Sequence, residues 1–398
     1  MKIPSIVGGK PTRKKILIFG APHIGKEEVR EVAETLQSGW LGTGPKTSRF
    51  ETEFANFVGV KYARAVSSCT AGLHLSLIAA GVSQGDEVIT SPLTFASTAN
   101  VILHVGANPV FVDVNLPQGT IDCEKIEKKI TKKTKVILPI HLYGLPAEMD
   151  TILKMAKKRN LKVISDAAHA IGTIYRGKKI GSIGDLTAFS FYVTKNIMTG
   201  EGGMVTTNNK SYANIIELYA MHGMSRGAWK RYSDQSYKHY LIKVPGYKFN
   251  MTDIQASLGI HQLKRFPKNQ KRRKIIWQRY NKAFANLPVI LPADPIDKNS
   301  IHAMHLYTLL LNLEKLKVSR DFIQQGLYHE NIGTGVHFVS LHRHPYYEKR
   351  FGFKKTDFPN ATFISERTLS LPMASNLSDQ DVEDVINAVK KVINYYTK

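Results

Sequence analysis

The chain is predicted to be an α/β protein: a mainly parallel sheet sandwiched by helices, followed by a smaller C-terminal α+β domain. Three observations predict this. Between about residues 60 and 207, short apolar runs alternate with amphipathic stretches, the pattern of strand–helix units stacked into a parallel sheet. Small and hydroxyl-bearing residues cluster at the ends of those runs, where such sheets collect ligands. Beyond Met251 the alternation stops and a long helical stretch begins. A chain of 398 residues, 43% hydrophobic and 22% charged, is of ordinary globular composition and long enough for two domains.

Tyr62–Val66, Glu87–Ser91, Pro109–Val114, Lys135–Ile140 and Leu161–Ser165 are apolar runs of strand length. Between them Thr70–Gly81, Phe95–Val105, Cys123–Lys132 and Glu148–Arg159 have helical spacing. Leu186–Tyr192 and Gly203–Thr207 add two strands on either side of a lysine-bearing turn. From Asp253 to about Ala285 the only proline is Pro267, so a long helix is expected, broken or kinked there. After it come a strand over Ala303–Leu311, a helix over Ser319–Glu330, a short segment around Gly335–Phe338 and a final helix from about Ser378 to Tyr395. Asp379 and Asp381 at the start of that helix, and Lys390 and Lys391 toward its end, suit its dipole. The expected domains are residues 1–255 and 256–398, joined by the long helix with no low-complexity linker.

The formal net charge is +23. Such a surplus favours anionic partners in general, but no nucleic-acid recognition motif accompanies it, and no nucleic-acid partner is expected. The denser basic stretches, Lys125–Lys135 and Lys264–Lys274, read as a short helix with its turn and as part of the long helix. Two cysteines, Cys69 and Cys123, are too few for a disulfide framework. No window approaches the apolar length of a membrane span, and a cytoplasmic location is expected. No metal site is read from the residues.

Several strand ends carry chemistry. Lys195 lies in Ser190-Phe-Tyr-Val-Thr-Lys-Asn-Ile-Met-Thr-Gly-Glu-Gly-Gly203, a turn whose glycines let backbone pack closely around a planar ligand. An amine so placed can form a Schiff base with an aldehyde cofactor and later move a proton. Asp166 ends the apolar run before Ala-Ala-His169. A carboxylate there costs desolvation unless it meets a cation; a pyridinium is one such partner, and a cap on the next helical turn is the plain alternative. Together the two residues match what pyridoxal phosphate (PLP) requires. His169 can reach a phenolic oxygen of that cofactor or serve structurally. Ser67-Ser-Cys-Thr-Ala-Gly72 follows a strand and opens a helix, which suits a phosphate and equally an N-cap with small packing residues. Ser190 is a further candidate hydroxyl. Phe95, just past a strand end, is either a ring stacked on a flat cofactor or one more core phenylalanine.

Trp40-Leu-Gly-Thr-Gly-Pro45, Ser67-Ser-Cys-Thr-Ala71, Leu93-Thr-Phe95, Asp166-Ala-Ala-His169, Phe189–Lys195, Gly200-Glu-Gly-Gly-Met204, Pro245–Asn250 with Thr252–Ala256, and Gly333-Thr-Gly-Val-His337 with Pro345-Tyr-Tyr347 appear in order. Together, from roughly Phe19 to the last helix, they resemble the DegT/DnrJ/EryC1/StrS aminotransferase family. The resemblance implies a fold-type I PLP-dependent transferase working as a homodimer with shared active sites. It implies transfer of an amino group, usually from L-glutamate, to a keto carbon of a nucleotide-linked sugar. By motif, Lys195 takes the place of the Schiff-base and proton-transfer lysine, Asp166 of the pyridinium partner, His169 of the O3′ contact and Phe95 of the stacking ring. Cys69, Thr70, Ala71 and Ser190 fall at the phosphate ligands, and Asn250 at a residue reaching the phosphate from the other subunit. Thr43, Tyr192 and His337 fall on the substrate side.

Within that family the chain is most similar to 4-aminotransferases of cell-envelope sugars, of the UDP-4-amino-4-deoxy-L-arabinose type, which implies amination at C4 for polysaccharide or other amino-sugar synthesis. Two positions depart from the common pattern. Cys69 replaces a Gly or Ala, and Tyr192 stands where many members carry His, which bears on the identity of the sugar. The alternatives are a PLP-dependent dehydratase or isomerase acting on a similar sugar, and a non-enzymatic regulator retaining the fold. The dehydratase branch replaces the lysine with His, and Lys195 argues against it.

Overall fold

The computed structural model describes residues 2–224 and 240–398. Its strands, in chain order, are β1 (Tyr62–Val66), β2 (Glu87–Thr90), β3 (Asn108–Phe111), β4 (Thr134–Ile137), β5 (Lys162–Asp166), a small hairpin β6 (Ile174–Tyr175) and β7 (Lys178–Lys179), β8 (Leu186–Ser190), β9 (Gly203–Thr207), β10 (Val289–Ile290), β11 (Tyr307–Leu311) and β12 (Thr368–Leu371). Seven of them form the central sheet, in the order β1-β9-β8-β5-β4-β2-β3. β2 pairs in parallel with β3 and β4, β4 with β5 and β5 with β8. β9 runs antiparallel between β8 and β1. All five residues of β8 and of β9 are buried, as strands covered on both faces must be.

One face of the sheet carries the helix Cys69–Ala79, packed between the sheet and the helices Ala96–His104 and Lys210–Ala220. Leu73, Leu75 and Leu77 are all buried with Val66, Ala188 and Val205, so this helix is apolar nearly all round. The other face holds Phe50, Phe54, Phe189 and Phe191 with Ile152 and Ile260. A three-stranded antiparallel sheet, β10-β11-β12, builds the C-terminal part. The helix Asp253–Phe284 serves both regions. Ile260, Leu263 and Phe266 lie in the first core, and Ile276, Trp277, Tyr280 and Phe284 in the C-terminal one. The N-terminal segment is tied to this second region: the buried Glu330 carboxylate accepts from the amides of Ser5 at 2.7 Å and Thr12 at 2.8 Å.

The α/β class and the sheet with helices on both faces agree with the sequence reading. Element ends differ where local signals conflict. The long helix runs unbroken through Pro267. The hydrogen bond lost at a proline is offset because the turns on both sides are buried in separate cores. The helix expected over Cys123–Lys132 stops at Ile126 and continues only as a 3₁₀ turn to Lys129. There Thr131 and Thr134 bond each other and the Glu87 carboxylate, which starts β4 early. The strand expected from Ala303 begins at Tyr307, because Met304 takes a left-handed φ of 51°. Gly335–Phe338 contributes a single bridge, Gly335 to Ser370. Both cysteines are free and buried. Part of the basic run on the long helix is internally paired, Arg265 with Glu28 at 2.6 Å and Arg272 with Asp379 at 2.9 Å. Among the described residues no helix is long and apolar enough to cross a membrane.

Candidate active site

The carboxyl ends of β5 and β8, the turn 191–202 and the start of the helix Cys69–Ala79 enclose a cavity of about 470 Å³. Asp166 is the last residue of β5, and its amide is held by the Pro139 carbonyl at 2.9 Å. Its Oδ2 accepts from the Thr98 hydroxyl at 2.8 Å and its Oδ1 from the Ala168 amide at 3.0 Å. Burial pushes its pKa up, against the pull of those two donors and of Lys195. A buried carboxylate in this state gains most from a cation placed against it.

Lys195 follows β8 in a tightly laced turn. Its amide donates to the Tyr192 carbonyl at 2.8 Å, and Phe191 is bonded on both sides, to Gly202 at 2.9 Å and from Thr199 at 2.8 Å. Gly200 closes the turn at φ 79°, a conformation that suits glycine. Burial brings the lysine amine down to about 8, with Cys69 and Asp166 pulling it back up. An amine in that range is partly a free base near neutral pH, as nucleophilic and proton-transfer roles require.

His169 accepts the Tyr143 amide on Nδ1 at 3.2 Å. Burial, together with the Lys195 and His337 charges, holds it well below the usual histidine range. It is therefore neutral with its hydrogen on Nε2. Its ring lies nearly parallel to Phe338, 14° apart at 5.9 Å, and Phe338 is also 6.1 Å from Phe95. His337 reaches the Ser370 hydroxyl through Nδ1 at 2.9 Å.

At the other end of the cavity Ser68 caps the helix Cys69–Ala79, its Oγ accepting from the Ala71 amide at 3.0 Å. The first amides of a helix have no partner within it and attract anions. Gly203 allows β9 to lie against this cap: a Cβ there would meet the Ser68 carbonyl carbon at 2.5 Å.

The cavity thus brings together Cys69, Thr70, Phe95, Asp166, His169, Ser190, Tyr192, Lys195 and His337. Three sequence candidates lie outside its lining. Ala71 is buried with its amide occupied by Ser68. Asn250 donates to Thr43 Oγ1 at 2.6 Å, and Thr43 to the Met251 carbonyl at 2.6 Å. Beside that pair the Asp253 carboxylate accepts from the Gly44 amide at 2.8 Å and the Thr47 amide at 2.9 Å. Sequence reading missed Thr98, Tyr143 and Phe338. The Thr94–Thr98 pair at helical spacing, 2.8 Å between hydroxyls, was the one local signal for the first of them. The donor set fits PLP: an amine depressed toward neutrality, a buried carboxylate for a protonated ring nitrogen, and a helix N-terminus for a phosphate.

The sequence pattern of the DegT/DnrJ/EryC1/StrS aminotransferase family matches residues 22–390. The chain is 52% identical over 382 residues to the spore coat polysaccharide biosynthesis protein SpsC of Bacillus subtilis, covering 96% of this chain and 98% of that one. Among solved structures it resembles the putative sugar aminotransferase Spr1654 of Streptococcus pneumoniae in its PMP form, with TM-score 0.89 at 35% identity over 95% of this chain and 99% of that one. The PLP form of the same protein matches with TM-score 0.87 at 34% identity, over 96% and 99%. Helicobacter pylori PseC, an aminotransferase involved in the biosynthesis of pseudoaminic acid, matches with TM-score 0.88 at 29% identity over 96% and 100%. With the fold, the lysine–aspartate cavity and the family pattern in agreement, the chain belongs to the DegT/DnrJ/EryC1/StrS aminotransferase family and is a PLP-dependent sugar aminotransferase.

Proposed function

We propose that this enzyme moves an amino group from L-glutamate to the C4 keto carbon of a nucleotide-linked sugar, as a homodimer whose active sites are shared. The observation that carries the reading is the buried Lys195 amine in one cavity with the buried Asp166 carboxylate. Bound PLP supplies an aldehyde to hold the amino group and an electron-poor ring to stabilise negative charge at the reacting carbon. Asp166, oriented by Thr98 and Ala168, would keep the ring nitrogen protonated. Lys195 would hold the cofactor at rest through its amine and, once free, would move a proton at the reacting carbon. His169 would donate from Nε2 to the cofactor's O3′, Phe95 would cover a ring face, and Cys69, Thr70 and Ser190 would surround the phosphate; Ala71, whose amide bonds Ser68, would stand behind them.

Thr43 and Asn250 sit outside the cavity of their own chain, consistent with Asn250 completing the phosphate site of a second copy. Phe95 and Tyr192 are 62% and 46% exposed, leaving room at the mouth for a sugar and its nucleotide beside Tyr192 and His337. The test is incubation with UDP-, GDP- and dTDP-linked keto sugars plus glutamate, with mass detection of the amino sugar and assay of 2-oxoglutarate. Lys195→Ala is expected to abolish both products. Normal turnover by that variant would sink the assignment, and an amino group at C3 would correct the position.

A further inference from the structure

Asn196, next to the reacting lysine, is buried beneath the turn and bonds two points of a loop over 100 residues away in sequence. Its Nδ2 donates to the Ala303 carbonyl at 2.9 Å. Because a carbonyl only accepts, the amide orientation is settled, and its Oδ1 must be the atom facing His305 Nδ1 at 3.0 Å. His305 therefore carries its hydrogen on Nδ1 and donates it to Asn196. The same imidazole lies under His169, ring centroids 4.6 Å apart. Its backbone amide donates to the Tyr143 carbonyl at 3.1 Å, and Tyr143 is the residue whose own amide fixes His169. The loop is stiffly held: Gln270 donates to the Ala303 carbonyl at 2.9 Å, and Arg273 to the Met304 and His305 carbonyls at 3.2 and 3.3 Å.

We propose that Asn196 and His305 are positioning residues whose mutual hydrogen bond, with the Asn196 bond to Ala303, locks the lysine turn to the 302–306 loop while His305 supports the ring of His169. Neither residue is among those lining the cavity, so neither is given a contact with substrate or cofactor. Their effect reaches the reaction through Lys195 and His169. The inference rests on the proposed role of Lys195. Small displacements of a reacting group are enough to slow a well-oriented reaction ~10- to 100-fold.

The test is a double-mutant cycle on the holoenzyme with Asn196→Ala, His305→Phe and their combination. His305→Asn serves as a conservative variant that keeps a donor near the Nδ1 position. Each of the first two is expected to lower kcat ~10-fold or more while KM for glutamate changes less than ~3-fold. The double variant should lose far less than the product of the two single losses, because both variants break the same Asn196–His305 bond, and His305→Asn should recover most of the rate. The pH midpoint of the bound cofactor's absorbance should move in the same direction in Asn196→Ala and His305→Phe. The other ionisable groups lining the cavity with the lysine, Cys69, Asp166, His169, Tyr192, Glu201 and His337, remain in place throughout. If His305→Phe fails to fold or to load cofactor, the cycle is run with His305→Leu, which also lacks the Nδ1 donor. Wild-type rate and midpoint in Asn196→Ala, or losses that multiply in the double variant, would overturn the proposal. Turnover by Lys195→Ala would instead overturn the functional reading on which it rests.

Discussion

The backbone amide of Tyr143 donates to Nδ1 of His169 at 3.2 Å, and this one contact decides what the histidine can do. With Nδ1 occupied as an acceptor and the ring held neutral, Nε2 presents a hydrogen to the cavity. His169 is thus a donor, and a glutamine amide can replace it. His169→Gln should keep cofactor affinity within ~5-fold, whereas His169→Leu should weaken it ~10-fold or more, the worth of a hydrogen bond to a charged oxygen. Titration of the apoprotein followed by cofactor absorbance would measure both, and equal affinities would remove the donor role.

Gly203 is a position where close approach alone demands glycine. A methyl group there would meet Ser68 carbonyl carbon at 2.5 Å and the Cys69 nitrogen at 2.7 Å, both backbone atoms that cannot swing aside. Gly203→Ala should force β9 away from the capped helix end. The expected results are a lower melting temperature and cofactor binding weakened ~10-fold or more, because helix amides hold an anion only when aimed at it. Unchanged binding would place the phosphate elsewhere.

Arg273 is a buried guanidinium met by carbonyls: one nitrogen donates to Met304, His305 and Met373, the last at 2.8 Å. Burial lowers its pKa to about 10. Arg273→Met would remove the charge but leave three carbonyls without their donor. A loss of about 3 kcal/mol or more in chemical denaturation is expected, since each buried unsatisfied group costs about 1–3 kcal/mol. Arg273→Lys should cost less.

Acid should destabilise the fold through buried neutral histidines. His302 is buried and accepts the Met304 amide on Nδ1 at 2.7 Å; burial lowers its pKa from 6.5 to about 3. The unfolded chain therefore binds a proton there below pH 6.5 that the folded chain refuses. The stability contributed by keeping His302 neutral is full above 6.5 and is lost as pH falls toward 3, at about 1.4 kcal/mol per pH unit. His302→Asn, which keeps an acceptor but does not titrate, should flatten the fall in stability between pH 6 and 4 by about one proton's worth. An unchanged slope would contradict the assignment.

Much of this was legible in order along the chain. β1 and β9 begin and end where alternation and flanking residues place them, because each is a short apolar run bounded by its own stop signals. Asp166 and Lys195 were recognisable because a carboxylate ending an apolar run and a lysine in a glycine-rich turn are unusual locally. Pro267 was misleading for the opposite reason: its local cost is real, but two cores outside any local window offset it. Met304 likewise interrupts an apolar stretch for reasons that lie in the Gln270 and Arg273 side chains, which donate to the carbonyls of this loop.

By itself the sequence determined the α/β class, the strand ends that carry the chemistry and the lysine–aspartate pair, because propensity, hydrophobic period and turn residues act over a few neighbours. The tertiary structure alone decided the rest. It set Thr98 on Asp166, 68 residues apart, the Tyr143 amide on His169, and His305 beneath both His169 and the lysine turn. It also set Thr43 and Asn250 against each other, outside the cavity. Those contacts join residues remote in sequence. They exist only because packing the sheet, the long helix and the C-terminal loops into shared cores leaves each buried polar group few partners within reach.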